Sequence, residues 1–253
     1  MEFVRRLGGF LMPGGRMGAV GARQQAAPVF DPFSLGWEAA HWASDPGWTP
    51  PAADGAVDSW RDGAGNGHTV TQATSGKQPL YRTSVAKLNG KPGIDFDGVD
   101  DYLQTASFAM AQPISAVIVA SDYLVSGSYR YLWGSGQPPG LWFRSDVTTG
   151  ILQVFAGSII GSPLVFDSDA HLWRGYYNGN SGAAAKDGTS VTGDTYTYGI
   201  GGGYAIGAIG PGADRGWADV NVAFVGVYAG DVTANPNWAA FKTWVTSFYG
   251  ITV

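Results

Sequence analysis

The sequence predicts an all-β protein, an antiparallel two-sheet jelly-roll sandwich with a short C-terminal helix and an extended N-terminal arm. Three observations carry that expectation. Short runs rich in Val, Ile, Tyr and Trp recur through the chain, separated by Gly, Asn, Asp or Pro and not by helical stretches, as in sheets joined by tight turns. Glycine (39 residues) and aromatics (13%) are abundant, while charged residues make up 14%, well under the quarter usual for globular chains. One segment alone, the last, repeats its apolar residues at helical spacing.

At the start, residues 1–30 hold Arg5, Arg6, Arg16 and Arg23 against Glu2, a net charge of +3; the rest of the chain holds 11 Lys and Arg against 19 Asp and Glu, a net of −8. Such asymmetry marks a tail that contacts something else. Its apolar stretch is broken by Gly, Pro and Arg, which argues against a secretory signal. A glycine-rich arm of this kind is expected to order on docking, with Phe3, Val4, Leu7, Phe10 and Leu11 filling apolar grooves and the arginines pairing with carboxylates. Residues 31–253 show no repeat and no long linker, so they are expected to form one domain.

Within that domain "FSLGWEAAHW" (33–42) is able to open a strand, and "ASDPGWTPPAADGA" (43–56) is a turn-rich loop. Strands are then expected at "GIDF" (93–96), "YLQT" (102–105), "ISAVIVAS" (114–121), "YRYLWG" (129–134), "LWFRS" (141–145), "ILQVFAG" (151–157), "HLWRGYY" (171–177), "YAIGAIG" (204–210) and "WADVNVAFVGVYAG" (217–230). The closing segment offers Thr233 or Asn235 as N-cap, Pro236 near the first turn, Trp238, Phe241, Trp244, Val245 and Phe248 as one apolar stripe, and Gly250 as the stop. No run of 18 apolar residues exists, so no membrane span is expected. Cysteine is absent, which removes disulfides and thiolate metal sites.

The stretch "PGIDFDGVDDYL" (92–103) raises a specific question, because four aspartates fall in seven positions between apolar residues. Alternation puts Ile94 and Phe96 on one side and Asp95 and Asp97 on the other; "DGVDD" then reads as a hairpin turn returning into "DYLQT". Beside that reading stand a calcium site at Asp97, Asp100 and Asp101, since hard cations take clustered oxygens, and a catalytic carboxylate.

The same stretch carries a resemblance. "VDSWRDGAGNGHTVTQATSGKQPLY" followed by "LNGKPGIDFDGVDDYLQT" resembles the opening of concanavalin A-like (laminin-G-like) jelly-roll domains, and "HLWRGYYNGNSGAAAKDGTSV" and the closing "ADVNVAFVGVYAGDVTANPNWAAFKTWVTSFYGI" are similar to their later segments. The resemblance covers residues 33–253 and leaves out the arm. It implies the fold and not the function, because the fold hosts lectins, glucanases, adhesion modules and virion proteins. Together with the arm it implies a bacteriophage structural protein, a capsid decoration or minor tail protein. Such a protein would be fixed to other virion proteins (major capsid or tail proteins) by residues 1–30, located at the virion surface, and would reinforce the lattice or contact a host-surface glycan; trimers are common in such assemblies, so a homo-oligomer is expected. The alternative is a carbohydrate-binding lectin module outside any virion, and a weaker one is a glycoside hydrolase using aspartates.

The residues match no familiar catalytic pattern. Glucanases of this fold use E-x-D-x-E on one strand, whereas this chain has two glutamates, Glu2 and Glu38, in no such pattern. Hydrolysis needs two carboxyl groups about 5 Å apart (retaining) or about 6.5–9.5 Å apart (inverting), and no spacing among the 18 aspartates singles out a pair. His41, His68 and His171 stand far apart, which disfavours zinc; His68 is expected to cap a loop and His171 to start a strand. No G-x-S-x-G marks a nucleophile, and "GIGGGYAIGAIGPG" (199–212) lacks the ending of a phosphate loop. The expectation is a protein without catalytic activity. For binding, Trp142 and Arg144 share one strand face, and Tyr177 stands beside Asn178; these are the candidate glycan contacts, against core packing. The acidic body disfavours nucleic acid.

Overall fold

A computed structural model describes residues 30–124, 129–136, 141–146, 149–212 and 215–253 of the protein. In chain order the strands begin with β1 (Ala39–Trp42), β2 (Ser59–Trp60), β3 (Val70–Thr71), β4 (Leu80–Val85), β5 (Lys91–Asp97), β6 (Leu103–Thr105), β7 (Ile114–Ser121) and β8 (Arg130–Gly134). They continue with β9 (Trp142–Ser145), β10 (Ile151–Phe155), β11 (Ile159–Val165), β12 (His171–Tyr177), β13 (Gly182–Lys186), β14 (Thr189–Gly193), β15 (Ala205–Ile206) and β16 (Asp219–Ala229). A single α-helix among the described residues, α1 (Trp238–Tyr249), follows.

The strands form two antiparallel sheets. The first runs β14-β13-β12-β7-β16-β5-β4 with β1 also paired to β16; the second runs β11-β10-β9-β8-β15-β6-β3-β2. Alternation in the sequence fills the space between them. Ile94 and Phe96 of β5, Leu132 and Trp133 of β8, Phe143 of β9, and Leu152 and Val154 of β10 all lie in that one apolar core, each with no exposed surface. The run "ISAVIVAS" does not alternate, because β7 is buried on both faces. Its Ile114, Ala116, Ile118 and Ala120 enter the inter-sheet core, while Val117 and Val119 join a second cluster under α1.

That second cluster seals the outer face of the first sheet. Phe241, Trp244 and Val245 of α1 pack on Trp37, Val117, Val119 and Phe224. Phe30, the first described residue, lies edge-on to Phe241 at 6.4 Å between ring centroids. The apolar stripe and the stop at Gly250 agree with the sequence: Gly250 takes a left-handed φ of 76° and its N–H donates to the Thr246 carbonyl at 3.0 Å. The regular helix starts at Trp238, and Asn237 ahead of it makes no side-chain cap bond. Asn235 caps the entering turn instead, with extended backbone, its Oδ1 accepting from the Asn237 N–H (2.9 Å) and its carbonyl from the Trp238 N–H (3.0 Å), while its amide donates to the Leu35 carbonyl (2.8 Å). Thr233 belongs to a short 3-10 turn, Val232–Ala234, capped by Asp231.

The aspartate-rich turn is also corrected. β5 belongs to the first sheet and β6 to the second, so residues 98–102 carry the chain between sheets and do not close a hairpin. Ile94, Phe96 and Leu103 reach the same core from its two walls. Turn chemistry looks alike in both cases; the pairing partner decides. Among the described residues no helix is long and apolar enough to cross a membrane.

Candidate functional site on the outer face of the second sheet

With α1 covering the first sheet, the outer face of the second carries the exposed chemistry. On β9, Phe143 points into the core, so Trp142 and Arg144 point outward, as the alternation predicts. Antiparallel register puts Arg144 between Tyr131 of β8 and Gln153 of β10, and Trp142 opposite Phe155. The same parity sends Gln153 and Phe155 outward, since Leu152 and Val154 are core.

These side chains interlock. The Trp142 and Phe155 rings stack at 4.2 Å and 13°, and Tyr131 meets Trp142 edge-on at 5.8 Å. Trp142 Nε1 donates to the Gly136 carbonyl at 2.7 Å. The Arg144 guanidinium lies under the Tyr129 ring at 3.8 Å and near Trp142 and Tyr131 at 5.3 and 5.4 Å. Its Nε donates to Gln153 Oε1 (3.0 Å) and its Nη1 to the Tyr131 hydroxyl (2.8 Å). Gln153 Nε2 in turn donates to Asp146 (3.4 Å), which fixes the amide with its oxygen toward Arg144. Arg144 is 7% exposed, whereas Tyr129 is 39% exposed and Phe155 is half-buried. The result is a cation set in an aromatic wall, with Tyr129 presenting a free ring face to solvent.

The other candidates from the sequence are placed as follows. Tyr177 points inward: it is fully buried, lies tilted against Trp133 at 6.1 Å between ring centroids, and donates to the Trp142 carbonyl at 3.0 Å, so its ring has no face for a sugar. Asn178 is half-buried just beyond the end of β12, where its backbone N–H donates to Thr195 Oγ1. Phe3, Arg5, Arg6, Leu7, Phe10, Leu11, Arg16 and Arg23 lie outside the described residues. Sequence reading missed Tyr129, Tyr131, Gln153 and Phe155 as partners of Arg144; period-two parity in "YRYLWG" and "ILQVF" is the signal that pointed to them.

Asp97, Asp100 and Asp101 do come together, with carboxylate oxygens within 4.8 Å of one another. Two of the carboxylates already hold the turn: Asp97 Oδ1 accepts from the Val99 N–H (2.8 Å), and Asp101 Oδ2 from the Asp97 N–H (3.1 Å). Desolvation, reinforced by the Asp97 charge, raises the Asp101 carboxyl to a pKa of about 6. These contacts describe a self-capped turn, and they leave calcium an expectation and no more.

The histidines serve the fold. His41 is fully buried; Nδ1 donates to the Arg61 carbonyl (2.9 Å), Nε2 accepts from the Tyr204 hydroxyl (2.6 Å), and desolvation holds its pKa down at about 4. His68 stacks on Phe108 at 4.0 Å, and its N–H, like that of Asn66, donates to Asp62 Oδ2. Asp62 Oδ1 accepts from Ala40 and Ala64, so one carboxylate gathers four backbone N–H groups of "DGAGNGH" and β1. His171 starts β12 and lies between Asp187 (2.5 Å) and Asp167 (2.7 Å).

No family model matches the chain, and no curated protein is similar to it by sequence. Solved structures are similar in fold. Domain 4 of AbnA, a GH43 extracellular arabinanase from Geobacillus stearothermophilus, in complex with arabinotriose, superposes with a TM-score of 0.56 at 11% identity, over 80% of this chain and 98% of that one. An arabinofuranosidase complexed with arabinofuranosyl-alpha-1,2-xylobiose gives 0.56 at 15% identity, over 87% and 66% of the two chains. Trypanosoma rangeli sialidase with 2,3-difluorosialic acid gives 0.54 at 15% identity over 83% of this chain. The chain spans about a third of the sialidase (32%). At such identities the likeness shows the fold, an antiparallel two-sheet sandwich.

These neighbours correct the expectation of a non-enzymatic phage virion protein. The proteins they name are a sialidase, an arabinanase and an arabinofuranosidase, with sugars or an analogue bound, and neither a capsid nor a tail protein stands among them. The expectation of no catalytic activity falls with it. Its argument from the glutamates excluded one hydrolase pattern, E-x-D-x-E, and left every other arrangement of carboxylates untouched.

Proposed function

We propose that this chain is the carbohydrate-binding sandwich of a carbohydrate-active protein, concanavalin A-like in architecture, which takes glycan on the outer face of its second sheet. One observation carries the reading: Arg144 is held by Gln153 and Tyr131 within an aromatic wall of Trp142, Phe155 and Tyr129, on the face that α1 does not cover. Sugar rings present C–H faces that stack on aromatics, and fixed polar groups orient their hydroxyls. The likeness to an arabinanase domain crystallised with arabinotriose, matched over nearly its whole length, supports the same class of ligand.

The test is a glycan array probed with the wild-type chain and with Tyr129→Ala. Tyr129 is exposed enough for its removal to leave folding intact. Wild-type binding that weakens at least about tenfold in the variant, at an unchanged melting temperature, supports the reading. A wild-type chain that retains no glycan sinks it.

A second reading places hydrolysis at the aspartate turn. It is favoured by the closeness of the Asp97, Asp100 and Asp101 carboxylates, with oxygens within 4.8 Å of one another, together with the raised pKa of Asp101, a combination able to supply the acid and base that glycoside hydrolysis uses. Reducing-sugar release from array-positive glycans, abolished by Asp101→Asn, is the outcome it requires; no release excludes it.

A further inference from the structure

Arg144 presents a charge imbalance. Nine-tenths buried, it makes no ion pair with a carboxylate among the described residues, and both of its hydrogen-bonded partners, Gln153 and Tyr131, are neutral. The other described arginines whose ion pairs are resolved face acids directly: Arg61 meets Asp45, Arg82 meets Asp54 and Asp95, and Arg174 meets Asp231. The nearest acid to Arg144 in its own network is Asp146, and Gln153 stands between them. A buried cation is costly unless paired, and ring stacking offsets only part of that cost.

The geometry of the fork completes the argument. Nε and one Nη1 proton are used, which leaves Nη2 and the second Nη1 proton without an acceptor among the described residues. Adjacent free N–H groups on a planar guanidinium match the two oxygens of a carboxylate. Gln153 is locked by Asp146, and the Tyr129 and Trp142 rings lie against the guanidinium, so the fork is set before any ligand arrives.

We propose that this face selects a sugar bearing a carboxylate, a uronic acid or similar acidic residue, with the acid group on the Arg144 fork and the sugar ring against Tyr129. The proposal rests on the carbohydrate-binding reading and deepens it. Arg144 is a binding residue here, and Gln153 positions it.

The experiment uses the full chain and two probes, trigalacturonate and its methyl ester, which share the sugar and differ in the carboxylate charge. Affinities are measured by calorimetry for wild type, Arg144→Gln and Gln153→Ala, with melting temperatures alongside. The proposal expects the wild type to bind the acid at least about tenfold more tightly than the ester, and Arg144→Gln to abolish that preference. Should Arg144→Gln fail to fold, Gln153→Ala, which frees the fork's support from a half-buried position, is expected to shrink the preference. If acid and ester bind equally, the acidic-sugar proposal is overturned while the glycan reading stands. If neither these probes nor any glycan of the array binds, both are overturned.

Discussion

A single carboxyl group sets the sign of one pH dependence. Asp101 is 6% exposed, and burial beside Asp97 raises its pKa to about 6. A carboxyl raised above its unfolded value favours folding in its protonated form, so its contribution is fully present below about pH 4 and lost as pH rises through 6. Asp101→Asn keeps an oxygen for the Asp97 N–H without the charge. It is expected to stabilise the protein by roughly 1–2 kcal/mol at pH 7.5 and to match the wild type at pH 4, read from thermal melts at the two values. A variant less stable at neutral pH would mean that the ionised carboxylate has a partner, such as a bound cation. His171 runs the same way for a different reason. Burial works against its charge, but the Asp187 and Asp167 carboxylates outweigh that and raise its pKa. Residue-level reading of the sequence reached some of this. It saw that Trp142 and Arg144 share a face, because parity is local; it left Tyr177 between core packing and glycan contact, because "HLWRGYY" gives no sign of which parity faces inward.

Elements were legible in proportion to their length. The twelve-residue α1 repeats its period often enough to be read directly, and the eight-residue β7 is read from its unbroken apolar run. The two-residue strands β2 and β3 hold no period at all, and β4, β11, β13 and β14 lack a run of bulky apolar residues; β15, equally short, falls within the longer run expected at 204–210. The step from β5 to β6 was legible as a turn and not as a change of sheet, since the aspartates and Gly98 suit either. Helix α1 is the element whose packing is most concentrated in single side chains. Phe241 is fully buried and lies within 5.3–5.7 Å of the Trp37, Phe224, Trp238 and Trp244 rings. Phe241→Ala is expected to cost about 3–5 kcal/mol in urea denaturation, while leaving glycan affinity below the transition unchanged because the helix sits on the opposite sheet. Loss of affinity in the folded variant would show that the two outer faces are coupled.

The molecule as a whole is two-faced. One sheet is capped by aromatic helix packing, and the other turns an arginine-centred aromatic wall outward. Composition announced a sandwich, and it had no way to announce this division, which depends on where α1 lands. The function was the least legible level. One fold carries many tasks, and the virion expectation came from family company and a basic arm, neither of which constrains the chemistry of the second sheet.

β16 adds an element of timing. It pairs with β7 along one edge and with β5 and then β1 along the other, so strands from the first half of the chain wait on residues 219–229 for their partner. A chain emerging from the ribosome therefore carries β7 and β5 each with one open, apolar edge until residues 219–229 are made. A fragment ending at residue 218 is expected to show no cooperative melt and to aggregate, and a sharp transition in that fragment would refute this. The first sheet closes only once its longest strand has been made, and the interval before that is when the chain most needs shelter from its neighbours.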